Sequence, residues 1–174
     1  LIAKKRSTLK DLQSHFRQKT IQKDYLCVVH GTLKNTQKGT QTIDKPLLKY
    51  VLKNGERRVK VDKDGKPSQT LITVLANFEV DGMAVSLVKA SPLTGRTHQI
   101  RVHMASIGHA LLSDDKYQLP TQASLATQKG IKRLCLHAWR MALPTDEGVQ
   151  VFEVGLPDDI RRVVGDHIYC LKSI

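Results

Sequence analysis

The chain has 174 residues, of which 40% are hydrophobic and 25% are charged, as in an ordinary globular domain. No apolar run approaches the ~20 residues that a membrane-spanning helix needs, so the composition excludes a membrane protein. Lys and Arg total 28 against 16 Asp and Glu, which gives a net charge of +12. This excess indicates nucleic acid as a partner, with a merely basic surface as the alternative.

Residues 1–174 are predicted to form a single domain, because a chain of this length builds one core. The three cysteines lie far apart and leave one over, so no disulfide framework is expected. No signal peptide precedes the domain, which predicts a cytoplasmic location. The opening residues LIAKK read as the end of a strand, so we expect this chain to be a fragment.

The first half of the chain predicts one helix followed by a run of strands. Ser7 is a candidate N-cap, and apolar residues at helical spacing predict a helix over residues 7–19. The sequence KDYLCVVHG predicts a buried strand. Alternating residues then predict hairpins, with RRVKV turning through Asp64 and Gly65 into SQTLITVLANFEV, and a further turn at Asp81 leading into MAVSLVKAS.

The second half predicts a short helix, two strands and a last helix. Thr97 is expected to cap a helix over residues 97–107, which Gly108 ends. RLCLHAWRMAL and VQVFEVGL predict strands, and Pro157 opens a helix whose apolar face includes Ile160, Val163, Val164, Ile168 and Leu171. The order of elements indicates an α+β fold with a mostly antiparallel sheet and flanking helices.

The helix predicted over residues 97–107 concentrates the polar side chains. His98 and Arg101 are spaced i, i+3, and Gln99 and His103 are spaced i, i+4. Donors also surround the predicted helix start, contributed by Arg96, Thr97 and His98. A phosphate or carboxylate would be bound there, unless these residues are simply the solvated face of an amphipathic helix.

Other kinds of site are disfavoured by spacing. No HExxH motif and no Cys/His quartet with zinc-ligand spacing occurs, so no metal is expected. Cys135 and His137 would share one strand face, which packing explains better than nucleophilic catalysis. No glycine-rich phosphate loop is present, so no nucleotide cofactor is expected.

The sequence LTGRTHQIRVHMASIGHALLSDDKY resembles the signature of RluA/RluC-type pseudouridine synthases. QKDYLCVVHG, RLCLHAWRMAL and VGLPDDI resemble three further family elements in the expected order, so the resemblance covers the whole chain. It is closest to the RluC branch, which modifies uridines of large-subunit (23S) ribosomal RNA. The resemblance implies the pseudouridine synthase fold, incomplete at its N-terminal side, and an isomerase that uses no cofactor and no metal.

Roles for individual residues follow from this resemblance. Arg101 matches the arginine that holds the nucleophilic aspartate, and Tyr25 matches the tyrosine that stacks on the flipped base. Both are therefore the predicted catalytic residues of this chain. The predicted RNA-binding residues are Arg96, Thr97, His98, Gln99, His103 and Leu136, the last at the floor of the pocket.

The nucleophile itself is missing from this sequence. In the family it lies in an HRLDxxTSG motif, and LIAKKRS resembles the residues that follow it, so Asp114 and Asp115 are not assigned this role. No S4 RNA-binding domain is present either. We therefore expect this chain, which is predicted to be a monomer, not to convert uridine by itself. Arg101 is expected to lack its carboxylate partner here, so Arg101→Ala should cost little stability or even stabilise the chain. The alternative is a noncatalytic RNA-binding module on the same fold.

Overall fold

A computed structural model describes residues 2–34, 39–122 and 133–167. Within them, six strands form an antiparallel sheet in the order β2-β5-β6-β1-β7-β8, and β3 and β4 form a separate ribbon. The strands are β1 (Gln22–His30), β2 (Thr40–Asp44), β3 (Leu47–Val51), β4 (Arg57–Val61), β5 (Gln69–Val80), β6 (Met83–Pro92), β7 (Leu136–Thr145) and β8 (Gly148–Glu153). The α-helices among these residues are α1 (Arg6–Gln18), α2 (Gln99–Ala105) and α3 (Asp158–Val164), and Pro120–Gln122 forms a single 3-10 turn. The predicted α+β class is confirmed.

The strand β1 lies inside the sheet and is buried on both faces, as its continuous apolar run predicts. Leu26 and Val28 belong to one apolar cluster, which includes the buried residues of α3. Cys27 and Val29 belong to a second cluster, which includes Met104 of α2. This alternation gives the domain three layers, with the sheet between two helices.

The helix α1 lies within one residue of its predicted range, but its N-cap is Lys5, so the predicted N-cap Ser7 is wrong. Its last residue is Gln18, and the C-cap residue Lys19 has a left-handed φ of 57°. None of its residues is buried by the described part of the chain, and Leu9 and Phe16 remain 47% and 48% exposed. The apolar residues of α1 therefore have helical spacing but remain exposed to solvent in the described structure.

The predicted pairing of RRVKV with SQTLITVLANFEV is wrong. RRVKV is β4, and it pairs with β3 in the separate ribbon, whereas β5 pairs with β2 and β6. The turn at Asp64 and Gly65 exists, but it leads the chain from the ribbon to the sheet. A Cβ at Gly65 would lie 2.5 Å from the backbone of Leu47, so the chain passes too closely there for any larger residue. The turn through Asp81 between β5 and β6 is confirmed.

The end of the chain follows the prediction as far as the structure describes it. Pro157 is the N-cap of α3. Two aspartates occupy the first turn, where their negative charges interact favourably with the positive end of the helix dipole. Ile160, Val163 and Val164 are buried, while the predicted face residues Ile168 and Leu171 lie outside the described residues. In the part of the chain that is described, no helix is long and apolar enough to cross a membrane.

The two described cysteines are free and buried. Burial raises the pKa of the Cys135 thiol to about 12, so it stays protonated at neutral pH. His137 is also buried, and its Nε2 lies 2.9 Å from the carbonyl oxygen of Val154. Packing therefore explains this pair, and a nucleophilic cysteine is not supported.

Candidate active site

A cavity of about 340 Å³ lies where β1, the end of β6, the start of α2 and the start of β7 meet. This volume is within the range of roughly 300 to 1,000 Å³ that is typical of small-ligand pockets. Six of the eight predicted site residues line it, namely Tyr25, Arg96, His98, Gln99, Arg101 and Leu136. The fold therefore brings together residues that are up to 111 positions apart in the sequence (136 − 25).

Tyr25 lines the cavity from a point on β1 where the pairing with the neighbouring strand is irregular. The pairing of β1 with β7 shifts register between Asp24 and Tyr25. Such a bulge re-aims the side chains beside it, and bulges are common next to active sites. Asp24 lines a larger cavity of about 660 Å³ on the side of α1, whereas Tyr25 lines the smaller one, and Lys23 lines both.

The turn before α2 differs from the prediction. His98, not Thr97, is the N-cap residue, with a left-handed φ of 52° and no side-chain cap hydrogen bond. Thr97 is exposed and lines a neighbouring cavity beside the ribbon instead of the main one. The left-handed turn is rare for a residue other than glycine, although histidine adopts it more readily than most. The expected capping role of Thr97 is therefore wrong.

Gln99 is buried and ties this turn to the sheet. Its Oε1 accepts hydrogen bonds from the Thr94 hydroxyl at 2.7 Å and the Arg96 backbone N–H at 3.0 Å. Its Nε2 donates to the Gln69 carbonyl at 2.8 Å and the Thr70 hydroxyl at 2.9 Å. All four partners belong to this chain, so these hydrogen bonds fix Gln99 in the cavity wall, and its predicted contact with RNA stays a prediction.

His103 lies behind the cavity, fully buried. Its Nε2 lies 3.0 Å from the carbonyl oxygen of Lys45, which can only accept, so this nitrogen carries the proton. Its Nδ1 then accepts from the Thr70 hydroxyl at 2.9 Å. Burial lowers the pKa of His103, which favours this neutral form. His103 therefore has hydrogen-bond partners inside the protein, and its predicted contact with RNA stays a prediction.

Arg101 has a carboxylate partner within this chain. Its Nε donates to Asp114 at 2.8 Å and its Nη2 donates to the other Asp114 oxygen at 2.5 Å and to Asp115 at 3.0 Å. The Asp114 side chain is fully buried, and its Oδ1 also accepts the backbone N–H groups of Lys116 and Tyr117, each at 3.0 Å. The hydrogen bonds to Asp114 raise the pKa of Arg101. The expectation that Arg101 lacks a partner here is therefore wrong.

The pairing uses only one edge of the guanidinium. Among the described residues, none accepts a hydrogen bond from Nη1 of Arg101. The Arg101 guanidinium also lies over the Tyr117 ring, 5.1 Å from its centre. Arg101 thus lines the cavity as a cation whose orientation is fixed by Asp114, and its Nη1 is available to a second acceptor.

The Tyr117 hydroxyl connects the cavity with the ribbon. It lies 2.8 Å from Nδ1 of His98 and accepts the backbone N–H of Val59 at 3.1 Å. The ribbon is further attached by Arg58, which donates to the Lys116 carbonyl. The segment after α2 therefore supports both Arg101 and His98.

Two features of this site were not predicted from the sequence. Asp114 and Tyr117 belong to the DDKY end of the family-like segment, which is the signal that pointed to them, but their partners are set by the fold.

No aspartate or glutamate lines the cavity among the described residues. Over the same part of the chain, no three His, Cys, Asp or Glu side chains are grouped as a metal site.

Comparison with protein families and curated proteins gives one consistent result. The family model described as RNA pseudouridylate synthase matches residues 1–106. The ribosomal large subunit pseudouridine synthase C of Pasteurella multocida (strain Pm70) is 41% identical over 167 residues, which cover 95% of this chain and 49% of that protein. The synthase of the same name from Yersinia pestis is 46% identical over 164 residues, covering 93% and 49%. The chain thus spans about half the length of the curated relatives it matches.

Comparison with solved structures agrees. Human RNA pseudouridylate synthase domain containing 1 superposes with a TM-score of 0.73 at 28% identity, covering 90% of this chain and 62% of that one. Human RNA pseudouridylate synthase domain containing 4 superposes with a TM-score of 0.69 over 97% of this chain and 69% of that one. At 20% identity, this second likeness concerns the fold alone.

Proposed function

The chain belongs to the RNA pseudouridylate synthase family, and from this premise we propose that it is the carboxyl-terminal part of the catalytic domain of an enzyme that isomerises uridines of 23S ribosomal RNA to pseudouridine. The cavity that gathers Tyr25, Arg101 and Leu136 carries the proposal. The nucleophilic aspartate would come from a segment outside the 174 residues, and the enzyme would work in the cytoplasm, where ribosomes are assembled.

The proposed reaction exchanges one glycosidic bond for another. The bond from ribose C1′ to uracil N1 breaks, the base rotates, and a bond from C1′ to C5 forms. N1 gains a proton and C5 releases one, so the reaction needs no oxidant, reductant or cofactor. The protein must therefore extract the base from its stack, hold it during rotation and keep the nucleophile ionised.

Arg101 is suited to the last of these tasks. Asp114 occupies its Nε and Nη2, which fixes the plane of the guanidinium and leaves Nη1 for the carboxylate of the nucleophile. A charge-assisted hydrogen bond from Nη1 would favour the ionised form of that carboxylate. Asp114 cannot itself be the nucleophile, because its side chain is fully buried and both of its oxygens accept hydrogen bonds.

Tyr25 would form a wall, and Leu136 the floor, of the pocket that encloses the extracted uracil. Stacking of a base on an aromatic ring is typically worth about 1 to 3 kcal/mol, which offsets part of the cost of unstacking it. Arg96 and Lys23 line the same cavity and would bind the phosphates of the flanking nucleotides. The net charge of +12 would attract the RNA over a longer range.

The test uses the full-length protein, the 174-residue chain and transcribed 23S ribosomal RNA. The full-length protein should form pseudouridine, and its Arg101→Ala variant should not, whereas Arg133→Ala, at an exposed arginine, should remain active. The chain alone should form none, and should bind RNA with an affinity that falls as salt rises. A full-length protein that leaves every uridine unchanged would overturn the proposal.

A noncatalytic RNA-binding module is the second candidate. It is favoured for the chain by itself, because no carboxylate lines the cavity among the described residues. The same experiment separates the two functions. RNA binding by the full-length protein without pseudouridine would favour the binding module.

A further inference from the structure

His98 lines the cavity and has a defined partner for only one of its ring nitrogens. Nδ1 lies 2.8 Å from the Tyr117 hydroxyl, and the two rings meet edge to face with centres 5.7 Å apart. Among the described residues, no hydrogen bond to Nε2 of His98 occurs. The orientation of the ring is therefore set from one side, and its other edge is left for a ligand.

The hydrogen bonds of Tyr117 decide which nitrogen of His98 carries the proton. The Tyr117 oxygen already accepts the backbone N–H of Val59, so its own proton needs an acceptor. Nδ1 of His98 is the acceptor that the described residues provide at this oxygen. The tyrosine hydroxyl thus donates to Nδ1, and the neutral imidazole carries its proton on Nε2.

The surroundings of His98 oppose a second proton. Burial lowers the pKa of His98, and the nearby cations Arg101 and Lys116 lower it further, against the weaker opposing effect of Asp114 and Asp115. Burial also raises the pKa of Tyr117, so its hydroxyl remains a donor. His98 is consequently a neutral donor in a cavity whose cations are Arg101, Arg96 and Lys23.

From these contacts we propose that His98 recognises a carbonyl oxygen of the uracil base through Nε2–H, and that Tyr117 is the positioning residue that fixes this tautomer. A neutral N–H suits a neutral carbonyl acceptor, whereas the arginines and the lysine of the cavity suit phosphates. The inference rests on the proposed function, because it needs a uracil in the cavity. It assigns to His98 a part in base recognition, where the sequence predicted RNA binding in general.

A double-mutant cycle tests whether Tyr117 acts through His98. The probe is a fluorescein-labelled oligouridylate, and the variants of the 174-residue chain are Tyr117→Phe, His98→Ala and the double variant. Each single substitution should weaken binding about fivefold to tenfold, as expected for one lost hydrogen bond. The double variant should bind no more weakly than His98→Ala. Additive losses would overturn the positioning role.

A second probe separates the base from the backbone. It is an abasic ribose-phosphate oligomer of the same length, which keeps every phosphate and lacks every carbonyl. The His98 and Tyr117 variants should bind it as tightly as the unsubstituted chain does. Equal losses on both probes would place His98 on the phosphate backbone and overturn its assignment to the base.

Two controls make the result independent of folding. Tyr50→Phe removes a hydroxyl from the ribbon strand β3 and should not change binding of either probe.

Without any substitution, ¹⁵N NMR of the chain should show the His98 proton on Nε2, and a proton on Nδ1 would overturn the inference. If the unsubstituted chain binds neither probe, the proposed RNA function fails first. If it binds and the cycle is additive, only this inference fails.

Discussion

The helices α1 and α2 are both amphipathic in sequence and differ sharply in what the fold does with them. α1 has 13 residues, none of which is buried among the described residues. α2 has only seven residues and buries five of them, including the polar Gln99 and His103. The longer helix with the regular apolar stripe contributes little to the described core, and the short helix with the mixed pattern is central to it.

The difference shows that the spacing of apolar residues predicts where a helix forms but does not predict which residues it packs against. The buried polar side chains of α2 are stable because each has hydrogen-bond partners from other elements. Their hydrogen bonds tie α2 to the loop before it and to β5. The following predictions test this contrast, from the largest expected effect to the smallest.

Arg101→Ala should cost about 3 to 5 kcal/mol of stability in the 174-residue chain, because it leaves the fully buried Asp114 without its cation. Urea unfolding measures the loss. Arg133→Ala is the matched control, since this arginine is 48% exposed and lies 4.0 Å from its acidic neighbour. If the two variants lose equally little, the pair with Asp114 does not stabilise α2.

Gln99→Ala should cost about 2 to 3 kcal/mol, because it removes the acceptor of the Thr94 hydroxyl and the Arg96 N–H. It also removes a donor to the Gln69 carbonyl and the Thr70 hydroxyl. The control is Thr97→Ala in the same turn, which should stay within about 0.5 kcal/mol because Thr97 is exposed. The same unfolding measurement compares them. Similar values for both variants would contradict the role of Gln99 as a tie between turn and sheet.

Stability should fall as pH drops below about 6.5, and His103 should account for part of the fall. Burial lowers its pKa from the ordinary value of 6.5, so the unfolded chain binds a proton at a pH where the folded chain does not. The stabilising effect is therefore complete above pH 6.5 and is lost as pH falls toward the lower pKa of the folded state. Burial acts in the same direction on His30 and His98.

Urea midpoints measured between pH 5 and pH 8 test this dependence. His103→Gln should be less stable at pH 8, because glutamine does not reproduce both hydrogen bonds, and its stability should depend less on pH. A variant with the full pH dependence of the unsubstituted chain would show that His103 is not among the titrating groups.

Leu9→Ala in α1 should change stability by no more than about 0.5 kcal/mol, because Leu9 is already 47% exposed and alanine favours a helix. Met104→Ala in α2 provides the contrast, with an expected loss of about 2 to 5 kcal/mol from a fully buried site. Comparable losses would mean that α1 is packed in solution, and the contrast between the helices would disappear.

The sequence by itself determined the elements whose signals are local. The buried strand β1, the hairpin of β5 and β6, and the positions of the three α-helices among the described residues follow from periodicity and turn residues over short stretches. The family-like segments also identified six residues that line one cavity, four of them in LTGRTHQIRVHMASIGHALLSDDKY, with Tyr25 from QKDYLCVVHG and Leu136 from RLCLHAWRMAL. They could be found from the sequence because each belongs to a family-like stretch, which a sequence displays directly.

Only the tertiary structure decided how distant groups are paired. The ribbon partner of β4, the left-handed turn at His98, and the pairing of Arg101 with Asp114 all depend on contacts between separate segments. The burial of His103 has the same origin, since Lys45 and Thr70 reach it from other elements. A helical pattern has the same spacing whether its polar face meets water or buried partners, and the free energy that selects between them comes from groups elsewhere in the chain.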